Sequence, residues 1–333
     1  MTKKPNMFDV ADLAKVSHQT VSRVVNNHQS IRPETRARVE AAMQKLGYTP
    51  NRAAQTLKTA KSRIIGILTS DTHLNGPANI WQNAERAARA ADYFTITCSV
   101  DPTSSTDVKK GIDYLSQIGI DGLIVITPHH ETVEIARKAL KRIPVVSIDS
   151  SLGSEKSAIK LNNFDDAYRA TKHLINLGHA GILHIAGPAT FFEAVDRKAG
   201  YEAAMKDSKL KPLSHVGEWS MDSGYEISKS MNYQASKVTA IFAASDHLAL
   251  GALRDCHERK ILVPEQLSLI GFDDLPEAEF SWPPLTTMRQ DFQAIGEGAV
   301  QLLLEKLNEE KSKQVTPLIS KLVDRETTTK RQK

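Results

Sequence analysis

The run HQTVSRVV, from His18 to Val25, puts an imidazole, an amide and a guanidinium within two helical turns. At ~100° per residue, a helix over 16–27 sets Val21, Val24 and Val25 on one side and His18, Gln19, Ser22 and Arg23 on the other. The apolar side can dock on a neighbouring helix. The polar side offers the hydrogen-bonding groups that match base edges in a DNA major groove. A surface helix with a mixed polar face would look the same, so this segment alone leaves both readings open.

A second set of chemistry-bearing residues is spread along the rest of the chain. In open α/β sheets, ligands collect at the carboxyl ends of the strands. Applied here, that rule selects Ser70 with Leu74, Asn75 and Pro77, then Asp149, Arg197, Trp219, Ser245 with Asp246, and Asp273 with Asp274. A few carboxylates, one arginine and one tryptophan suit a sugar, because charged planar groups bridge neighbouring hydroxyls while an indole covers the apolar face of a pyranose. Asp149, Asp246 and Asp273 could each instead cap a helix after a strand. Arg197 and Trp219 together are harder to account for structurally.

The elements that must hold these residues are legible. Asn6 is placed to cap a first helix with Asp9 three residues on; Lys15 and Val16 form the turn, and Ser17 can cap the helix that carries His18. Pro33 suits the start of a third helix with Val39, Ala42, Met43 and Leu46 buried, and Gly47 can close it. Helix, tight turn, helix and bracing helix is a helix-turn-helix arrangement. From Arg63 the pattern becomes strands alternating with helices: apolar runs at 64–68, 94–98, 122–126 and 144–148, then 181–186, 240–243 and 267–272. Two doubly wound parallel lobes are predicted, with residues 294–307 and 318–323 returning to the first.

Composition narrows the functional classes. The chain has 333 residues, 41% hydrophobic and 25% charged, which is globular and long enough for two or three domains. Residues 1–62 hold 11 Lys and Arg against 4 Asp and Glu, while the remainder holds 32 against 35. A basic head on a slightly acidic body points to a polyanion partner for the head. No apolar run approaches the ~20 residues of a membrane span, and the basic N-terminus lacks the apolar middle of a signal peptide, so a cytoplasmic location is expected. Cys98 and Cys256 read as small core residues. Phosphate-binding glycine loops, a nucleophile elbow and metal-ligand spacing are all missing, so neither an enzyme nor a metal or other cofactor is expected. His73, His129, His130, His184 and His247 read as ordinary surface or core residues.

The runs DVADLAKVSHQTVSRVVNN and PETRARVEAAMQKLGYTPNRAAQTL resemble the headpiece and hinge of the LacI/GalR family of bacterial repressors. The resemblance implies that His18, Gln19 and Arg23 read bases and that Ser17, Thr20, Ser22 and Asn26 hold phosphates. It further implies a hinge helix at about 51–58 that pairs with its copy, with Leu57 wedged into the minor groove. Such a short helix forms only when DNA and the partner helix support it. Lys15 stands where the family usually has Gly, and Arg32 where a capping Ser is common.

The motifs GPATFFEAVDRKAGY, GEWSMDSGY, FAASDHLALGALR, GFDD and PPLTTMRQDF resemble the galactoside-sensing members. They imply that Arg197 and Asp273 clamp sugar hydroxyls, that Trp219 stacks, and that Asp149, Ser70 and Leu74 close the cleft. Ser245 replaces a usual Asn, and Ile126 lies where some members have a polar residue. The core is expected to be two-lobed and periplasmic-binding-protein-like. The implied layout is a helix-turn-helix domain at 1–48, a hinge at 49–62 and a core at 63–333, its N-lobe at 63–161 and 290–325 and its C-lobe at 162–289. A regulator of carbohydrate genes is the resulting expectation, binding pseudo-palindromic operator DNA as a homodimer and answering to a small sugar. A nucleobase is the rival effector. An α/β enzyme or a sugar-binding transport component is the reading from another class. The C-terminus lacks the leucine heptads that make some relatives tetramers.

Overall fold

The computed structural model describes residues 5–25, 28, 30–49, 61–149, 157–310 and 317–331. Asn26, Leu57 and the whole expected hinge helix lie outside the described residues. The chain divides into two compact units, Met1–Ser62 and Arg63–Lys333.

The first unit is built from α1 (Met7–Ala14), α2 (His18–Val25) and α3 (Pro33–Leu46). Asn6 and Asp9 form a reciprocal capping box: the Asn6 side chain accepts the Phe8 and Asp9 N–H groups, and Asp9 accepts the Asn6 N–H at 2.8 Å. Lys15 ends α1 in the left-handed region at φ 52°, which turns the chain sharply into Ser17. The Ser17 hydroxyl then accepts the Thr20 N–H at 3.2 Å. Arg32 gives α3 no side-chain cap, and Gly47 closes it at φ 61°. Val10, Ala14, Val21, Val24, Val39 and Ala42 meet in one small core.

The second unit opens with a sheet of β1 (Ile64–Thr69), β2 (Phe94–Ser99), β3 (Gly122–Ile126), β4 (Val145–Asp149) and β5 (Ala158–Lys160), in the order β2-β1-β3-β4-β5 and parallel throughout. Its central strands β1 and β3 are buried on both faces because α4 (Asn75–Ala90) covers one side while α5 (Ser105–Ile118) and α6 (His130–Ala139) cover the other. The other sheet contains β6 (Ile182–Ala186), β7 (Leu213–Val216), β8 (Ala240–Ala243), β9 (Ser268–Asp273), β10 (Thr286–Arg289) and β11 (Lys321–Val323), ordered β11-β10-β9-β8-β6-β7. On its two faces pack α7 (Asn163–Asn176) with α8 (Phe192–Asp207), and α9 (Met221–Ser230) with α11 (Asp246–Glu258); the short α10 (Tyr233–Ser236) and α12 (Pro276–Phe280) fill the margins.

The last elements correct the expected return to the first lobe. Helix α13 (Phe292–Leu307) does pack there, through Ile295, Ala299 and Leu303 against Ile65, Ile124 and Ala84. Leu318 also stays, donating its N–H to Lys160 at 2.9 Å beside Leu161. Beyond it, buried Asp166 captures the Ser320 N–H at 2.9 Å and turns the chain away. Residues 321–323 then fill the open edge of β10, pairing Thr287 with Val323 and Arg289 with Lys321. That pairing is antiparallel, so the second sheet is parallel only up to its last strand. The tail stays on this lobe: the Thr327 hydroxyl accepts the Thr286 N–H at 2.8 Å and donates to the Leu269 carbonyl at 2.7 Å.

Candidate functional site

Between the two sheets of the second unit lies a cleft. Strand carboxyl ends and the loops after them form its walls, because the parallel strands of each lobe finish toward the other. From the first lobe come Leu74, Pro77, Ile80, Ile126, Ile148 and Leu161, a mainly apolar wall that also carries Asn75 and Thr127. The second lobe supplies Arg197, Trp219, Ser245, His247 and Asp273, with Gln290 and Phe292 from the returning segment.

Arg197 lies in the second turn of α8 and is 4% exposed. That helix starts at Phe192. One turn beyond Arg197, Tyr201 anchors the helix by donating to the Ile182 carbonyl at 2.8 Å and accepting the Leu213 N–H at 2.8 Å. The Arg197 Nε–H donates to Asn163 at 2.9 Å, one terminal nitrogen donates to the Ala244 carbonyl, and the other lies 3.4 Å from Asp273. Phe272 offers its face 3.8 Å from the guanidinium carbon and Trp219 lies at 5.8 Å. Such packing suits a delocalised, weakly hydrated cation.

Asp273 ends β9 with φ 110°, a strained value that points its carboxylate into the cleft. It accepts the Gln290 amide at 2.7 Å. Burial pushes its pKa up, and the Arg197 cation opposes that rise. Trp219 covers Gly187 so closely that a β-carbon there would come within 2.2 Å of the indole, so only glycine seats the ring. Phe191 meets the indole edge-on at 5.9 Å and 79°. Ser245 lines the cleft while its hydroxyl caps α11, accepting the Leu248 N–H at 3.4 Å.

Of the predicted ligand residues, Leu74, Asn75, Pro77, Arg197, Trp219, Ser245 and Asp273 share this cleft. Ser70 does not reach the wall: it is fully buried and donates to Thr127, which does line the cleft, at 3.1 Å. Asp149 is the last residue of β4, and its side chain lies outside what the structure describes. Asp246 turns away to hold the lobe together, accepting the Thr287 hydroxyl at 2.6 Å and the Leu275 N–H at 2.7 Å. Burial raises its pKa to about 8. Asp274 is likewise engaged, by Arg289 and by Arg325 at 2.7 Å.

Sequence reasoning missed His247, which it took for ordinary, and Phe191, Phe192, Glu193, Gln290 and Phe292. Gln290 and Phe292 follow a strand of only four residues that no apolar run announced. Phe191 and Phe192 meet first-lobe histidines, Phe191 with His129 at 5.4 Å and Phe192 with His130 at 5.2 Å. His184, in contrast, is a core residue stacked between Tyr201 and Phe242 at 4.9 and 4.7 Å, and burial lowers its pKa to about 3.

The first unit presents the other candidate surface. His18, Gln19 and Arg23 are exposed along one side of α2, and buried Val21 and Val24 hold the opposite side. Ser17 and Thr20, their hydroxyls 2.9 Å apart, mark the helix start, and Ser22 is half-buried beside them. His18 stacks on Phe8 at 5.3 Å. Among the described residues no group of three or more His, Cys, Asp or Glu could hold a metal, and no described helix is long and apolar enough to cross a membrane.

Comparison with known proteins joins the two surfaces. Residues 6–51 match the profile of bacterial regulatory proteins of the lacI family, and residues 171–328 match a periplasmic binding protein-like domain. The Escherichia coli lactose operon repressor is 33% identical over 305 residues, covering 91% of this chain and 85% of that protein. The repressor PurR of Haemophilus influenzae is 32% identical, with 90% of each covered. A lac repressor dimer bound to operator and the anti-inducer ONPF superposes with a TM-score of 0.88 at 32% identity, covering 98% of this chain and 100% of that one. The regulator CelR in complex with cellobiose does so at 0.71 and 27% identity, covering 97% and 99%. With its helix-turn-helix head and two-lobed core, this chain belongs to the lacI family of bacterial regulatory proteins and is a DNA-binding transcriptional regulator.

Proposed function

We propose that this protein represses carbohydrate-utilisation genes and that a small sugar, a galactoside in the first instance, sets its operator affinity from the cleft between the core lobes. The observation that carries this reading is the grouping of Arg197, Asp273 and Gln290 opposite an apolar wall and beside Trp219. Hydroxyls of a pyranose would face the charged side and its C–H face the indole, while an apolar aglycone would lie against Ile80, Ile126 and Ile148.

Residues 1–48 serve as the DNA-reading domain, 49–62 as the hinge and 63–333 as the sensor. His18, Gln19 and Arg23 read bases, Ser17, Thr20, Ser22 and Asn26 hold phosphates, and Leu57 wedges the minor groove. A homodimer places one recognition helix on each half of a pseudo-palindromic operator in the cytoplasm, as the lac repressor dimer on its operator supports. The aromatic side chains of Phe280 and Trp282, 84% and 85% exposed, give the core apolar surface for such pairing. By linkage, sugar that weakens operator binding must itself be weakened by operator to the same degree.

A nucleobase is the second reading. It is favoured by the edge-on pair of Phe191 and Trp219, which could grip a flat heterocycle, and by the relatives named PurR. Titration calorimetry of the core with galactosides, glucosides, pentoses and purines separates the two: heat with galactosides alone supports the sugar reading, and heat with purines alone replaces it.

A further inference from the structure

The cleft arginine is oriented by a residue that forms no part of the cleft wall. Asn163 is the first residue of α7 and is 2% exposed. Its side-chain oxygen accepts the Arg197 Nε–H, and its amide nitrogen is buried with no hydrogen-bond partner among the described residues. A buried amide left half-satisfied is costly, so its retention there requires a return elsewhere. With Asn163, the Ala244 carbonyl and Asp273 around its edge and Phe272 on its face, the guanidinium has one available plane. A planar fork fixed this way aims its remaining N–H groups in set directions.

Asn163 also sits where the chain passes from one lobe to the other. Residues 160–163 run from the first sheet into α7. Beside them, Asn162 donates its N–H to the Leu318 carbonyl at 3.3 Å, and Leu161 bridges Leu318. One turn into α7, Asp166 accepts the Ser320 N–H, and Arg169 binds both Asp166 and the Ser320 carbonyl. The first turn of α7 therefore clips two inter-lobe passages together, and Asn163 extends that clip to Arg197.

We propose that Asn163 is the positioning residue of the effector site, locking the Arg197 guanidinium in its binding plane and tying that plane to the inter-lobe passages. The proposal rests on the reading of the cleft as the effector site. A ligand that pulls on Arg197 then pulls on the passages, and a shift of the passages tilts Arg197.

The test compares Asn163→Asp, which keeps the acceptor, with Asn163→Leu, which removes it, both in the full chain. Three quantities are read: exchange of the Arg197 Nε–H by NMR, affinity for methyl galactoside, and operator release by that sugar. Asn163→Leu should expose the Nε–H to exchange, weaken the sugar about tenfold and blunt release. Asn163→Asp should keep the Nε–H protected and return affinity to within about threefold of wild type. If the leucine variant does not fold, Asn163→Ala is read in its place. Identical behaviour of the acceptor-keeping and acceptor-lacking variants overturns the proposal. If wild-type protein binds no methyl galactoside, the ligand reading fails, and the exchange measurement, which needs no ligand, still decides on Asn163.

Discussion

The polar side chains of α2 and those of the cleft solve opposite problems. Gln19 and Arg23 stand in solvent on a helix whose stability comes from Val21 and Val24 on its other side. Arg197 is buried and Asp273 partly buried, and they are already engaged with one another, with Asn163, Ala244 and Gln290. A DNA-reading surface loses little by waiting bare, since water satisfies its donors until bases replace it. A buried ligand site has no such reservoir, so its polar groups must hold each other, and the fold depends on them. Binding and stability should therefore separate in the head and travel together in the cleft.

The largest effect is expected where both are joined. Arg197→Ala removes the buried cation beside partly buried Asp273 and leaves its carbonyl and amide partners unmatched, a loss of about 3–5 kcal/mol by analogy with broken buried pairs. Galactoside affinity should fall by at least about a hundredfold and the core should melt earlier. Arg197→Lys should not rescue either, because an ammonium cannot reproduce the planar fork. A variant that bound sugar weakly at unchanged melting temperature would break the contrast. In the head, Arg23→Ala should weaken operator by about 1–3 kcal/mol and change base preference, with no loss of melting temperature. A parallel loss of head stability would show that Arg23 also holds the fold.

The same contrast governs what could be read from sequence. Helix caps, turns and apolar runs are local, so Asn6, Ser17, Gly47 and most strands of both sheets were legible residue by residue. Arg197 and Trp219 stood out because a buried guanidinium and a large indole after strands have few structural uses. Ser70 and Asp246 occupy the same kind of position and yet turn inward, to Thr127 and to Thr287. Position after a strand fixes where the backbone ends; the direction of the side chain depends on partners far away in the chain. Phe292 and Gln290 were hidden for a related reason, since the antiparallel partner that completes their edge, β11, is decided by Asp166 catching the chain at Ser320.

Buried Asp246 sharpens the contrast through pH. Its folded-state pKa, raised to about 8 by burial, lies above the usual carboxyl value of 3.8, so the folded core holds this proton more tightly than the unfolded chain does. Its contribution to stability is complete below about pH 4, declines as pH rises through the window between those two values, and is flat above about pH 8. Core stability should thus fall across that window by at most about 1.4 kcal/mol per pH unit from this group. Asp246→Asn should flatten the slope in calorimetric melts taken from pH 4 to pH 9. A slope unchanged by Asp246→Asn would move its origin to another buried group.

The smallest effect belongs to the turn that aims α2. Lys15 holds φ 52° and ψ 48°, a conformation that costs an ordinary residue about 1–2 kcal/mol and glycine almost nothing. Glycine also adds freedom to the unfolded chain, which offsets part of the gain. Lys15→Gly should therefore stabilise the head by about 0.5–1 kcal/mol, read as slower hydrogen exchange at Val10 and Val21 in the full chain. Cleft affinity for sugar should not change. Removing a cation near the recognition helix should also lower the salt dependence of operator binding slightly, since each phosphate neutralised adds about one to that slope. The two readouts then move in opposite directions, a steadier fold with a looser grip, and only an exposed surface that does not support its own fold allows that outcome. A head destabilised by Lys15→Gly would mean that the lysine side chain makes contacts worth more than the strain it bears.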